Sequence, residues 1–191
     1  MKANPPQAWN PARLDARRFA EAGASLSGEI PVSKLGRLSQ DLHSGADLDQ
    51  DSQVTWRARG ELRPAAQGGA PAAWMHLQAA TEVSLTCQRC LGAVQVPLSS
   101  DRWFRFVATE AQAEAEDDGC DEDLLALEPR PNLIEVLEDE LLMELPLVPM
   151  HETCPAPLAM ASADLDASGE ETPTARENPF LALAKLKKPG A

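Results

Sequence analysis

Apolar and polar positions along this chain switch between a period of two and a helical period, and the switches mark out the elements. Leu26, Gly28 and Ile30 alternate with polar neighbours, which predicts a short strand. Val54, Trp56, Ala58 and Gly60 alternate with Thr55, Arg57, Arg59 and Glu61, the pattern of a half-exposed strand. A longer strand is predicted over 74–86, leading directly into Cys87-Gln88-Arg89-Cys90. Gly92 favours a turn that returns the chain as a strand over 94–98. A further strand is predicted over 103–108, with Trp103, Phe104 and Phe106 filling the core.

Helical spacing is confined to a few places. Pro11 suits a first helical turn, and the pairs Leu14/Arg18 and Asp15/Phe19 share faces of a short helix that Gly23 ends. Leu35, Leu38 and Leu42 mark one side of a helix after Pro31, a reading that Gly36 weakens. The clearest helix spans 132–145. Asn132 caps it, Glu135 stands at the other half of a capping box, and Leu133, Ile134, Leu137, Leu141 and Leu145 recur on one face until Pro146. Residues 110–128 hold nine acidic side chains and no basic one, so 110–122 reads as an acidic loop, with Leu124, Leu125 and Leu127 as a short last strand.

These elements predict a β-rich, antiparallel α+β single domain over 11–155, with few helices and a pattern compatible with a barrel-like sheet. Residues 1–10 read as a disordered N-terminal segment, 156–178 as a disordered acidic linker, and 179–187 as a short docking segment. No strand is followed by a glycine-rich phosphate loop.

Composition sharpens this picture at three points. Apolar residues reach 43% but aromatic ones only 4%, with no tyrosine, so Leu, Val, Ile and Ala must build most of the core. The start lacks a basic flank followed by an apolar run, and no window could span a bilayer, so a cytoplasmic protein without membrane attachment is expected. The net charge of −13 is uneven: 12 basic against 10 acidic residues over 1–105, but 5 against 20 over 106–191. The second part repels phosphate backbones and suits basic proteins.

Four cysteines in a chain of 191 residues make no disulfide scaffold. Cys87 and Cys90 at C-x-x-C spacing can hold one zinc ion from a tight turn, and His151 with Cys154 would complete three sulfurs and one nitrogen. The same pair admits a redox reading, but reactive thiols of this kind usually open a helix, whereas this pair ends a strand. Chemically quiet thiols in a hairpin turn are the third option. Cys120 stands apart in the acidic stretch. Glu135, Glu138 and Asp139 lie within one helical turn, and the simplest account of them is a solvated face, not a pair of catalytic carboxylates. No serine elbow or phosphate-binding lysine loop is present, so enzymatic activity is not expected.

Three segments together resemble the bacterial YceD family: Cys87-Gln88-Arg89-Cys90-Leu91; the run from Leu133 through Glu138-Asp139-Glu140 to Leu145-Pro146-Leu147-Val148-Pro149-Met150-His151, with Cys154 following; and the ending Asn178-Pro179-Phe180-Leu181-Ala182-Leu183-Ala184-Lys185-Leu186. The resemblance runs in order from about residue 14 to residue 187 and is loosest in the first third. Members are described as large ribosomal RNA subunit accumulation proteins. The resemblance therefore implies a part in synthesis, processing or stability of 23S rRNA. It brings no established reaction, and its recognisable positions map to Cys87, Cys90, the Glu138-Asp139-Glu140 run, Pro146, Pro149, His151 and Cys154.

The expectation that follows is a noncatalytic ribosome-biogenesis factor acting through contacts with a ribosomal or assembly protein, with Glu135, Glu138, Asp139, Glu140 and Phe180 as partner-binding residues. A competing reading is direct rRNA binding by Arg57, Arg59, Arg102 and Arg105, where Phe104 and Phe106 would imitate a stacking strand. A zinc- or thiol-dependent enzyme is the distant third.

Overall fold

In the computed structural model, residues 9–43, 52–64 and 69–155 are described. Five strands form one open sheet in the order β1 (Ser25–Pro31), β2 (Gln53–Arg63), β3 (Ala72–Thr86), β4 (Ala93–Thr109) and β5 (Asp123–Glu128). The first three pairings are antiparallel and β4 pairs with β5 in parallel. The fold is thus α+β, as expected, but the sheet is mixed and does not close into a barrel. No helix among the described residues is long and apolar enough to cross a membrane.

The parallel pair follows from a second departure. Residues 110–117 form a helix, α2 (Glu110–Asp117), where an acidic loop was expected, and a parallel neighbour needs just such a crossover element. Thr109 caps α2 by accepting from the Gln112 N–H at 3.3 Å, and Glu110 lies in the first turn, where negative charge is favourable. Charge density did not forbid the helix because its carboxylates stay in water, apart from Glu116, which pairs with Arg105 at 3.0 Å.

The third departure is at 32–42. Two single-turn 3-10 helices, Val32–Lys34 and Leu38–Gln40, flank Gly36 in place of one helix. Their Val32, Leu35 and Leu38 are all buried, so the apolar spacing was correctly read as a core face although the backbone is not a continuous helix. The strands expected over 94–98 and 103–108 are one continuous β4. Pro97 is tolerated within it because β5 pairs only from Phe104 onward, leaving the other edge at Pro97 without a strand partner among the described residues.

Cross-strand register sorts the side chains into two faces. Ala58, Leu77, Met75 and Phe104 point to the inner face, which is covered by α1 (Ala16–Glu21) and α3 (Leu133–Met143). Phe19 of α1 and Leu133, Leu137 and Leu141 of α3 are at most 1% exposed there. Gly60 is the contact point of α1: a Cβ would lie 2.7 Å from Phe19 Cδ1 and 2.9 Å from Ala20 Cα. The Leu14 N–H donates to the Pro131 carbonyl at 2.9 Å, tying the approach to α1 to that of α3.

Helix α3 is also pinned through polar groups. Asn132 accepts from the Ile134 N–H at 3.1 Å. Glu138 is 8% exposed and Glu140 4%, so the α3 carboxylates are not one solvated stripe. Glu138 Oε1 accepts the backbone N–H groups of Arg37 at 2.6 Å and Leu38 at 3.1 Å, while Oε2 meets the Arg37 guanidinium at 3.2 Å. Glu140 accepts from the buried Ser100 hydroxyl at 3.0 Å and faces Arg102 at 3.5 Å. The sequence pattern missed this because the partners lie 38 to 101 residues away.

Candidate metal centre

Strand β3 ends at Thr86 and delivers Cys87 into a tight knuckle. The Leu91 N–H donates to the Cys87 carbonyl at 2.9 Å, and the Cys87 N–H to the Gly92 carbonyl at 2.9 Å. Leu91 adopts φ +60°, a left-handed conformation that costs a side-chain-bearing residue and lets the chain reverse within the knuckle. The Gln88 N–H donates to the Pro149 carbonyl at 2.9 Å, which anchors the segment that carries His151 and Cys154. Two parts of the chain some 60 residues apart are thereby brought side by side.

The ligand atoms of Cys87, Cys90, His151 and Cys154 all lie within 4.8 Å of one another. Cys87 Sγ and Cys154 Sγ are 4.0 Å apart, and Cys90 Sγ is 3.5 Å from His151 Nδ1. A tetrahedral zinc site with Zn–S of about 2.3 Å places its sulfurs about 3.8 Å apart. The observed spacing therefore accommodates one such ion. All four cysteines are free thiols, and Cys120 lies outside the cluster, near the Asp117 and Glu122 carbonyls.

The imidazole is set for ligation. His151 Nε2 donates to the Ala93 carbonyl at 2.9 Å, which fixes the tautomer and leaves the Nδ1 lone pair facing the sulfurs. Cys87 is fully buried, and burial alone would raise its pKa. Backbone N–H groups of Cys90, His151 and Arg89, with the His151 side chain, outweigh it and hold the thiol down to about 5. Cys154 moves the other way, raised by burial and by Cys90 and Cys87 beside it. A divalent cation is the partner that compensates such crowding. The donor set, three thiols and one imidazole without an open carboxylate, suits a closed structural zinc site. A redox role fits less well, since the amide-stabilised sulfur of Cys87 is inaccessible and caps a strand.

The other predicted site residues are scattered. Glu135 and Asp139 are exposed on α3, whereas Glu138 and Glu140 are engaged as described above. Phe180 lies outside the described residues. Arg57, Arg59 and Arg105 share the outer face of the sheet, but Arg102 pairs in register with the core residue Leu77 and belongs to the other face. Sequence reading also missed an outer-face stack. His76 lies 4.3 Å from Trp103 at an interplanar angle of 6°, and the Arg63 guanidinium sits 3.8 Å from the Trp103 centroid and 4.4 Å from that of Trp74. Trp103 is therefore an outer-face residue and only half-buried, not a core filler. Register across three strands assembles this group, and single-strand periodicity carries no register.

Fold and site together define an α+β domain whose β3–β4 turn and 149–154 segment meet at one cluster of metal-ligating side chains. The family model described as large ribosomal RNA subunit accumulation protein YceD matches residues 75–187, a span that includes both halves of the cluster. The chain belongs to the YceD family, and that description places it in ribosome biogenesis, in accumulation of the large ribosomal RNA. No solved structure matches the chain.

Proposed function

We propose that this protein supports 23S rRNA synthesis, processing or stability as a noncatalytic factor, through contact with a basic ribosomal or assembly protein. The observation that carries the reading is the exposed acidic surface of α2 and the turn after it. Glu110, Glu114, Asp117, Asp118, Asp121, Glu122 and Asp123 are all exposed, and 106–128 contains no Lys or Arg. Such a surface raises the encounter rate with cationic partners and discourages bare RNA backbone. Burial of Glu138 and Glu140 leaves Glu135 and Asp139 as the exposed α3 carboxylates able to join such a contact, Asp139 while paired with Arg37.

In this reading Cys87, Cys90, His151 and Cys154 hold a zinc ion that is structural. Its contribution is to fasten the 149–154 segment to the β3–β4 turn, so that chain ordering there is coupled to metal binding. The test is capture of ribosomal proteins from cell extract by tagged full-length protein at moderate salt, repeated with E114Q/D117N/D118N/D121N. Loss of ribosomal proteins in the variant is expected. Unchanged recovery would remove the acidic surface from the account.

A further inference from the structure

The outer face of β2, β3 and β4 is separate from both the metal cluster and the inner core, and it combines three features. Register places Arg57 beside Gln78 and Gln78 beside Asp101, and, one pair along, Arg59 beside His76 and His76 beside Trp103. Trp74, Trp103 and His76 form the half-buried ring cluster around the Arg63 guanidinium. Arg57 and Arg59 are exposed and join no ion pair among the described residues. An open depression of about 490 Å³ adjoins Arg57, lined on this face by Thr55, Arg57, Gln78, Ala80, Ser99 and Asp101.

We infer that this face binds a short single-stranded RNA segment, with bases stacking at the Trp74–Trp103–His76 cluster and phosphates meeting Arg57 and Arg59. Unpaired arginines next to half-exposed rings are the two elements that a single strand needs, since every base offers a π-face and every linkage a negative charge. The depression adds hydrogen-bonding groups for base edges. Gln78 Nε2 donates to Asp101 Oδ2 at 2.7 Å and His76 Nε2 lies 2.5 Å from Oδ1, so the carboxylate is held from both sides and fixes the Gln78 amide, whose carbonyl is left for a base edge. A duplex is a poor fit because its bases are already stacked on one another.

The acidic α2 does not cancel this field. It packs beside β4 and β5, where Glu116 and Glu122 take up Arg105, while Arg57 and Arg59 stand two strands away on β2. Neighbouring strands lie about 4.8 Å apart, so the separation reaches about one Debye length, 8 Å at physiological ionic strength. The phosphate path therefore runs over β2, away from α2. Arg105 is engaged with acidic partners and Arg102 lies on the opposite face, so of the four arginines singled out from the sequence only Arg57 and Arg59 serve this surface.

This inference stands on a different face from the protein-contact reading, and either can fail alone. The experiment is fluorescence anisotropy of a labelled oligouridine of about 12 nucleotides with full-length protein, starting at about 50 mM salt, where phosphate contacts are strongest. Saturable binding is expected, with a log–log salt slope near −1.4 from two phosphate contacts at about 0.7 each. R57Q/R59Q, at exposed positions that leave the fold intact, should weaken binding and flatten that slope. Trp103→Ala, which removes the ring that His76 and Arg63 stack on, should weaken binding about 5- to 150-fold without changing the slope, as expected for loss of a stacking platform. Circular dichroism of each variant separates these losses from unfolding. Absence of binding by the natural protein at low salt would overturn the inference. So would binding that R57Q/R59Q leaves unchanged, or equal affinity for a duplex of the same length. The E114Q/D117N/D118N/D121N variant should keep or tighten the RNA affinity while losing its protein partner.

Discussion

Glu138 offers the sharpest test of how this fold holds together. Its carboxylate is the acceptor for two consecutive backbone N–H groups, at Arg37 and Leu38, which begin the 3-10 turn Leu38–Gln40 without any local side-chain cap. Leu38 is fully buried, so its N–H has no route to water when the carboxylate is removed. Hydrogen bonds to a charged acceptor contribute about 1.5–3 kcal/mol each, and breaking a buried charged network by removing one partner costs about 3–5 kcal/mol. Glu138→Ala should therefore lose about 3–5 kcal/mol. For a body of this size that corresponds to a drop in Tm of about 10–15 °C. Glu138→Gln keeps an acceptor oxygen but not the charge, and should fall about halfway. The neighbouring Asp139 also pairs with Arg37, but it is exposed, so Asp139→Ala should shift Tm by no more than about 2 °C. Differential scanning calorimetry of the three variants decides the matter. Equal shifts for Glu138→Ala and Asp139→Ala would refute the claim that Glu138 is a buried cap and restore it to a solvated stripe.

Three further outcomes follow from particular contacts. Burial raises the pKa of Glu140, with Ser100 and Arg102 opposing, so its folded state holds a proton more readily than its unfolded state. The stability from this group is fully present below the unfolded value and is lost as pH rises through the folded one, so wild type should gain on Glu140→Gln as pH falls from 7 toward about 4. Denaturation at a series of pH values checks it, and a gap that moves the other way contradicts it. Gly60→Ala should cost about 1–3 kcal/mol in urea denaturation because its Cβ meets the α1 backbone, whereas Gly36→Ala, with nothing within 4 Å, should change little. Cys120→Ser should leave metal content and melting temperature unaltered, as its thiol lies outside the cluster, beside the Asp117 and Glu122 carbonyls and Arg105.

What the sequence made legible was whatever short-range period encodes. Alternation at 54–60 located β2, and the leucines of 133–141 located α3, because each buried face repeats within its own element. Ligand chemistry was also legible: three thiols and an imidazole are rare enough that C-x-x-C and H-x-x-C suggested one site, although nothing in the spacing brought them together. That needed the Gln88–Pro149 backbone bond. Helix α2 was hidden because dense charge mimics a loop when exposure cannot be seen. Glu138 and Glu140 read as surface residues because their partners Arg37, Leu38 and Ser100 come from distant segments. The Trp74–Trp103–His76 group is a product of strand register, and so are the opposite faces of Arg102 and Arg105.

Metal content of full-length protein purified without chelator, read by native mass spectrometry before and after Cys87→Ser and Cys154→Ser, goes to the root of the account. It predicts one zinc per chain in the natural protein, retained by Cys120→Ser, lost in both of the others, and accompanied by a lower Tm wherever it is lost. Protein that carries no zinc when supplied with it, or zinc that survives both substitutions, would contradict the joining of the β3–β4 turn to the 149–154 segment through a shared ion.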